Sequence, residues 1–124
     1  DLNAGFALVI EQENGSYDDQ KDDPYSIYNF VKQTISIRNA FPEIARGTNT
    51  FESSLSDDKL CVFTREYNGQ KVVMIFNTSQ ESAKADVSGL GVSNAVAMLQ
   101  TSEDAPEYKD GIAEMPAYSV LILK

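Results

Sequence analysis

The chain has 124 residues, 42% hydrophobic and 23% charged, with 19 acidic against 10 basic side chains and a formal charge of −9. That length suits one domain and falls short of a catalytic barrel of about 250 residues, while the acid excess opposes nucleic acid and anionic membrane surfaces as partners. Histidine and tryptophan are absent and there is one cysteine, which removes Ser-His and Cys-His nucleophile pairs, His-containing zinc or haem sites, internal disulfides and CxxC redox pairs.

Residues 1–24 hold seven acids and one base, net −6, whereas residues 25–124 hold twelve acids and nine bases, net −3. The first stretch reads as an acidic loop with a weak apolar patch at Phe6 to Ile10. Its start, Asp1-Leu2-Asn3, lacks a methionine and a basic n-region, as expected of a processed chain or an excised fragment. The run Asp18-Asp19-Gln20-Lys21-Asp22-Asp23 lacks the spacing of a calcium-binding EF-hand, because Gly15 precedes the acids and no glutamate closes the loop. No metal site is assigned. Nowhere does the chain approach the roughly 20 apolar residues that span a bilayer.

Next comes a helix, expected over about residues 24–40 with Asp23 as its cap and Pro24 at its first position. Ile27, Phe30, Val31, Ile35, Ile37 and Phe41 recur at helical spacing and cover about half the circumference, more than the stripe of roughly 100° on an ordinary surface helix. Such a helix needs partners on two sides, and a fragment with one of them missing is expected to expose its Phe30 and Ile37 side and to self-associate. Arg38 projects into the middle of the apolar arc, where an unpaired charge is costly, and is read as a structural arginine that snorkels or pairs with a carboxylate. Pro42 ends the helix, and Glu43 to Arg46 add a short turn closed by Gly47.

From about residue 48 the pattern is strand and turn. Leu60 to Tyr67 and Gln70 to Thr78 are rich in β-formers and flank Asn68-Gly69, a two-residue hairpin turn in which both residues must accept positive φ. Val72 to Phe76 and Val120 to Leu123 are apolar on both alternating faces and read as central strands covered above and below. Further strands are expected near 49–54, 83–87, 94–99 and 112–114, with turns at Asp57-Asp58, Gly89 to Gly91 and Asp110-Gly111. Seven short strands of this kind predict a mainly β chain, an antiparallel β-sandwich preceded by one long α-helix.

With 19 acids present, carboxylate chemistry is the class to test. Glycoside hydrolysis needs two carboxyls about 5 to 10 Å apart across a glycosidic bond, at least one of them shielded. The acids lie mostly in polar loops and turns; Glu52 and Glu66 are on predicted strands and read as solvent-facing, so no catalytic residue is assigned. Cys61, in the apolar run Leu60 to Phe63, reads as a small buried hydrophobe. Gly89-Leu90-Gly91 lacks the third glycine and the helix of a dinucleotide loop, and no cofactor is implied. Asn14-Gly15-Ser16 and Asn77-Thr78-Ser79 match glycosylation acceptors, which matter only in a glycosylating secretory pathway.

The segment from Ser26 through Ile37-Arg38 and Phe41-Pro42 to Gly47 resembles the last barrel helix of the α-amylase family, glycoside hydrolase family 13, and the stretch leading out of it. Val62 to Ser79 is similar to the family's paired strands ending in an Asn-x-Ser turn, Met115 to Leu123 to its closing strand, and Ala4-Gly5-Phe6 to a tripeptide before the last helix. The resemblance covers about residues 26–124. It implies a loop remnant of the catalytic barrel at 1–23, the last barrel helix at 24–47 and a C-terminal β-sandwich domain at 48–124. It also implies a noncatalytic piece, since the family's catalytic carboxylates lie on earlier barrel strands, and the (β/α)8 barrel of the same parent chain becomes the expected partner. An extracytoplasmic location, periplasmic or secreted, is compatible with it. The rival function is a carbohydrate-binding module for starch or maltooligosaccharides. With no tryptophan to stack on sugar rings, Tyr67 at the hairpin and Tyr108 in the polar stretch 101–111 are its candidate residues, and α-glucan its ligand.

Overall fold

The computed structural model describes residues 15–124. In chain order the elements are α1 (Tyr17–Gln20), α2 (Ile27–Ala40), α3 (Pro42–Arg46), β1 (Thr48–Phe51), β2 (Leu60–Tyr67), β3 (Gln70–Asn77), β4 (Ala83–Asp86), β5 (Ala95–Leu99), β6 (Glu107–Lys109), β7 (Ile112–Met115) and β8 (Val120–Leu123). The strands make a five-stranded sheet in the order β1-β2-β3-β8-β5 and a three-stranded sheet in the order β4-β7-β6. Every pairing is antiparallel, which gives the expected sandwich.

Period-2 alternation builds the core between the sheets. Leu60, Val62, Val73, Ile75, Leu121 and Leu123 of the large sheet meet Ala85, Val87, Ala113 and Met115 from the small-sheet side. The expectation that Cys61 is a buried core residue is overturned. It lies half-buried on the other face of β2, opposite Phe76 in the register, because alternation sends Leu60 and Val62 inward and Cys61 and Phe63 outward. On that outer face Phe51, Phe63 and Phe76 form a row, with ring centroids 5.3 and 6.0 Å apart. Val72 and Ile122 are buried on the outer face of their strands while their neighbours Val73 and Leu121 are buried in the core, as expected for central strands.

Asn68 (φ 52°) and Gly69 (φ 75°) make the hairpin turn between Tyr67 and its partner Gln70. The sandwich has one strand more than the sequence pattern indicates. Asp110 (φ 52°) and Gly111 (φ 81°) form a second turn of the same hand, and the strand that enters it, β6, is three residues of Glu-Tyr-Lys too short and polar to read as a strand.

The helix begins at Ile27, three residues later than Pro24, and its cap is Ser26 in place of Asp23. Ser26 Oγ accepts from the Asn29 amide at 3.2 Å and donates to the Gln20 carbonyl at 2.9 Å. The Asn29 side-chain amide donates to the carbonyls of Gln20, Lys21 and Asp23. These bonds tie the preceding turn beneath the helix end, and Asp23 Oδ1 is left to accept from the Tyr25 N–H at 2.9 Å. Within the acidic stretch expected to be loop, Ser16 and Asp19 form a capping box for α1, which places Asp18 and Asp19 in its first turn, where the helix dipole favours negative charge. Phe6 to Ile10, Ala4-Gly5-Phe6 and Asn14 lie outside the described residues.

Candidate functional site

Four places on the molecule concentrate polar or apolar chemistry, beginning with the joint between the helices and the large sheet. Pro42 starts α3 directly after Phe41, whose extended backbone (φ −121°, ψ 102°) breaks α2. This turn buries Glu43 to 3% exposure. Its Oε1 accepts from Lys124 Nζ at 2.7 Å, and among the described residues its buried Oε2 meets no donor. The Lys124 hydrogen bond holds the Glu43 carboxyl below the usual glutamate value, against the opposing push of burial. Arg65 of β2 donates through its guanidinium to the carbonyls of Ile44 at 2.8 Å and Glu43 at 3.4 Å. Gly47 completes the joint, since a Cβ there would overlap the Glu43 carbonyl oxygen and lie 2.8 Å from that of Glu66. Sequence reasoning missed this buried pair: a glutamate after a helix-starting proline looks like a solvent-exposed dipole partner.

The second place is the end of β3. Asn77 is 2% exposed, and its side-chain nitrogen donates to the carbonyls of Glu81, Met115 and Pro116 at 2.8 to 3.0 Å. Its Oδ1 accepts from the N–H and hydroxyl of Ser79. This acceptor-like triplet is therefore a tie between the two sheets, with its amide nitrogen spent on backbone.

The third is the outward face of α2. Ile27, Val31 and Ile35 are 56%, 48% and 55% exposed and follow one another at four-residue spacing, while Phe30 and Ile37 are half-buried. The exposed stripe thus differs from the side anticipated from the pattern alone, about 110° around the helix from it, because Phe30 and Ile37 are half-buried and Ile37 lies beside Ala97 and Met98 of β5. Arg38 is exposed in the middle of the apolar stripe, and none of the four ion pairs among the described residues includes it.

The fourth consists of the candidate sugar-binding tyrosines, which the fold does not bring together. Tyr67 ends β2 in the large sheet, and Tyr108 sits on β6 in the small one. Tyr108 packs against the core, and its hydroxyl donates to the Val92 carbonyl at 3.2 Å.

The two acids weighed from the sequence, Glu52 and Glu66, do not assemble a hydrolytic pair; Glu107 and Glu114 face each other in the register of β6 and β7, but both are exposed and Glu114 pairs with Lys84, so neither is the shielded acid that hydrolysis needs. Glu52 follows β1 and its N–H bonds to the Val62 carbonyl, while Glu66 is four residues farther along β2. Their backbones are therefore ~13 Å apart along the strand direction, beyond the spacing that glycoside hydrolysis uses. Glu52 Oε1 accepts from the Thr64 hydroxyl at 3.3 Å, whereas Glu66 is exposed. Among the described residues, the carboxylates besides Glu43 that are moved from their ordinary values are Asp19, Asp57, Glu81 and Asp86. All are lowered by neighbouring donors, opposite to the shift a general acid needs. Among the described residues no group of three metal-ligating side chains occurs, and Asp18 and Asp19 serve Lys21 and the α1 cap.

Comparison with known proteins agrees with this geometry. The family model described as maltogenic amylase, C-terminal domain, matches residues 51–122. A probable oligo-1,6-glucosidase 2 of Bacillus subtilis (strain 168) is 33% identical over 84 residues, which are 66% of this chain and 13% of that protein. Among solved structures, Eubacterium rectale Amy13B is 70% identical and matches with a TM-score of 0.88 over 93% of this chain and 23% of its own. The trehalulose synthase MutB from Pseudomonas mesoacidophila MX-45, at 22% identity, shares the fold with a TM-score of 0.70 over 86% of this chain and 19% of its own. The chain thus spans less than a quarter of each relative.

Proposed function

Because the chain belongs to the maltogenic amylase C-terminal domain family, we propose that it packs against and stabilises the catalytic (β/α)8 barrel of a family 13 α-glucan hydrolase. In this reading residues 48–124 are the sandwich domain, 24–47 the last barrel helix and 1–23 a loop of the catalytic part. The catalytic carboxylates then belong to the barrel, and this piece does no chemistry itself.

The observation that carries the reading is the two-sidedness of α2. Its half-buried Ile37 sits beside Ala97 and Met98 of β5, while Ile27, Val31 and Ile35 face outward and are about half exposed. Full burial of an aliphatic side chain contributes about 1.5 to 3 kcal/mol, so covering the remaining half of three contributes roughly 3 kcal/mol. Arg38, central in that stripe, falls inside the same contact as a positioning group for the barrel.

The test compares two settings of one substitution. Val31→Asp or Ile35→Asp in the full-length parent is expected to lower the melting temperature of the barrel. In the 124-residue chain alone either change should alter unfolding free energy by under ~0.5 kcal/mol, because both positions are exposed. The opposite pattern, with the chain alone destabilised and the parent unchanged, rejects the proposal.

A further inference from the structure

The seam between α2 and the edge strand β5 is a groove. Two depressions of about 410 and 430 Å³ run along it, the first lined by Lys32, Gln33, Ser36 and Met98 among others, the second by Tyr25, Gln33, Met98 and Gln100. Sharing Gln33 and Met98, they are continuous, and each falls in the roughly 300 to 1,000 Å³ of small-molecule sites.

The lining contains no carboxylate, in a chain whose net charge is −9. The groove therefore offers a cation no negative charge, and one lysine is too little for a polyanion. What remains is three amide side chains and the Ser36 hydroxyl beside an aromatic ring; Asn29 already gives its nitrogen to backbone carbonyls and Gln100 donates to the Ser102 carbonyl, so Gln33 is the amide with both its donor and its acceptor sides uncommitted. That set suits a neutral ligand rich in hydroxyls. Tyr25 is 38% exposed, and its backbone is fixed by the Asp23 turn and by Pro24 before it, so the ring is presented at low entropic cost.

The groove also survives docking to a barrel. At 100° per residue its α2 residues lie roughly 100° to 160° around the helix from the centre of the Ile27, Val31 and Ile35 stripe, on both flanks of the far side. We propose that this groove binds an α-glucan oligosaccharide, with Tyr25 against a sugar face and Gln33 and Gln100 hydrogen-bonded to hydroxyls. The choice of an α-glucan over another neutral oligosaccharide rests on the function proposed above; the groove itself does not.

The 15N-labelled chain titrated with maltoheptaose tests it, a dispersed amide spectrum serving as the check on folding. Saturable shifts are expected at Tyr25, Gln33, Met98 and Gln100. Tyr25→Ala and, independently, the exposed Gln33→Ala should each weaken the apparent Kd about tenfold, while Tyr67→Ala and Tyr108→Ala leave it unchanged. Shifts centred on Tyr67 or Tyr108 overturn the proposal, as does the absence of saturable shifts with both maltoheptaose and cellohexaose, which leaves the barrel-packing reading standing. Binding of cellohexaose but not maltoheptaose at the groove overturns the α-glucan assignment and counts against the parent reading as well.

Discussion

Replacing Lys124 with methionine removes the cation that Glu43 Oε1 meets at 2.7 Å and leaves a carboxylate only 3% exposed. Breaking a buried pair from one side costs about 3 to 5 kcal/mol, because the remaining charge is neither solvated nor paired. The Lys124 side chain is 37% exposed, so part of its attraction is already screened, and the lower end, about 3 kcal/mol, is expected. For a domain of this size that corresponds to roughly 10 °C in Tm. The pH dependence has a definite sign. The folded-state pKa of Glu43 is depressed, so its contribution is present above the unfolded value of 4.5 and is lost as pH falls through the folded one. In the variant the lysine no longer opposes burial, so Glu43 takes up its proton at higher pH. The stability gap to the natural chain then narrows from about pH 7 to about pH 4. Glu43→Leu combined with Lys124→Met replaces the pair by apolar groups and should recover more than half of the loss. Urea unfolding followed by circular dichroism, at unchanged m-value, reads all three differences. A loss under ~0.5 kcal/mol at neutral pH, or a gap that widens on acidification, refutes the reasoning.

Asn77→Ala removes three donated and two accepted hydrogen bonds at a buried site and is expected to cost about 3 kcal/mol; Asn77→Asp should cost more, because an oxygen then faces three carbonyls. Urea unfolding decides this, and a cost within ~1 kcal/mol for Asn77→Ala contradicts the tie between sheets. Gly47→Ala forces a methyl group onto the carbonyls of Glu43 and Glu66 and should cost about 2 kcal/mol in the same assay, with a neutral result showing that α3 can shift off β2 without penalty.

The sandwich was legible wherever local chemistry and tertiary need coincide. Asn68-Gly69 is such a place, since positive φ at both residues is a local demand that also sets the register of β2 against β3. The apolar faces of β3 and β8 are another, because central strands are dry on both sides whatever covers them. Legibility failed where a partner distant in sequence decides. The cap moved from Asp23 to Ser26 because Asn29 gathers three carbonyls of the preceding turn, a geometry no spacing rule contains. The strand β6 exists because Asp110-Gly111 folds Glu107–Lys109 onto β7, with Lys109 opposite Ile112, although its own composition is that of a loop. Of the functional surfaces, the two-sided helix was visible in the width of its apolar arc, but which side is covered depends on where β5 runs. Tyr25 and Gln33 gave no signal, because a groove is made by two elements and neither carries it alone.

The joint bears on both proposed surfaces, the stripe and the groove. Within Glu43 to Gly47 the chain accepts two guanidinium bonds from β2, one ammonium bond from the residue after β8, and a contact so close that only glycine fits. Together these bind the turn after α2 to the sheet at two places, Arg65 and Glu66 of β2 and Lys124 after β8, so α2 has little freedom to rotate about its own axis or swing from its end. A helix free to rotate would spread Ile27, Val31 and Ile35 over many orientations, and docking would have to order them at an entropic cost. Held by the joint, the stripe faces one way and the groove the other. Loosening the joint by Lys124→Met should therefore weaken docking of the stripe even though Lys124 lies outside it, a coupling that a stripe acting alone would not produce.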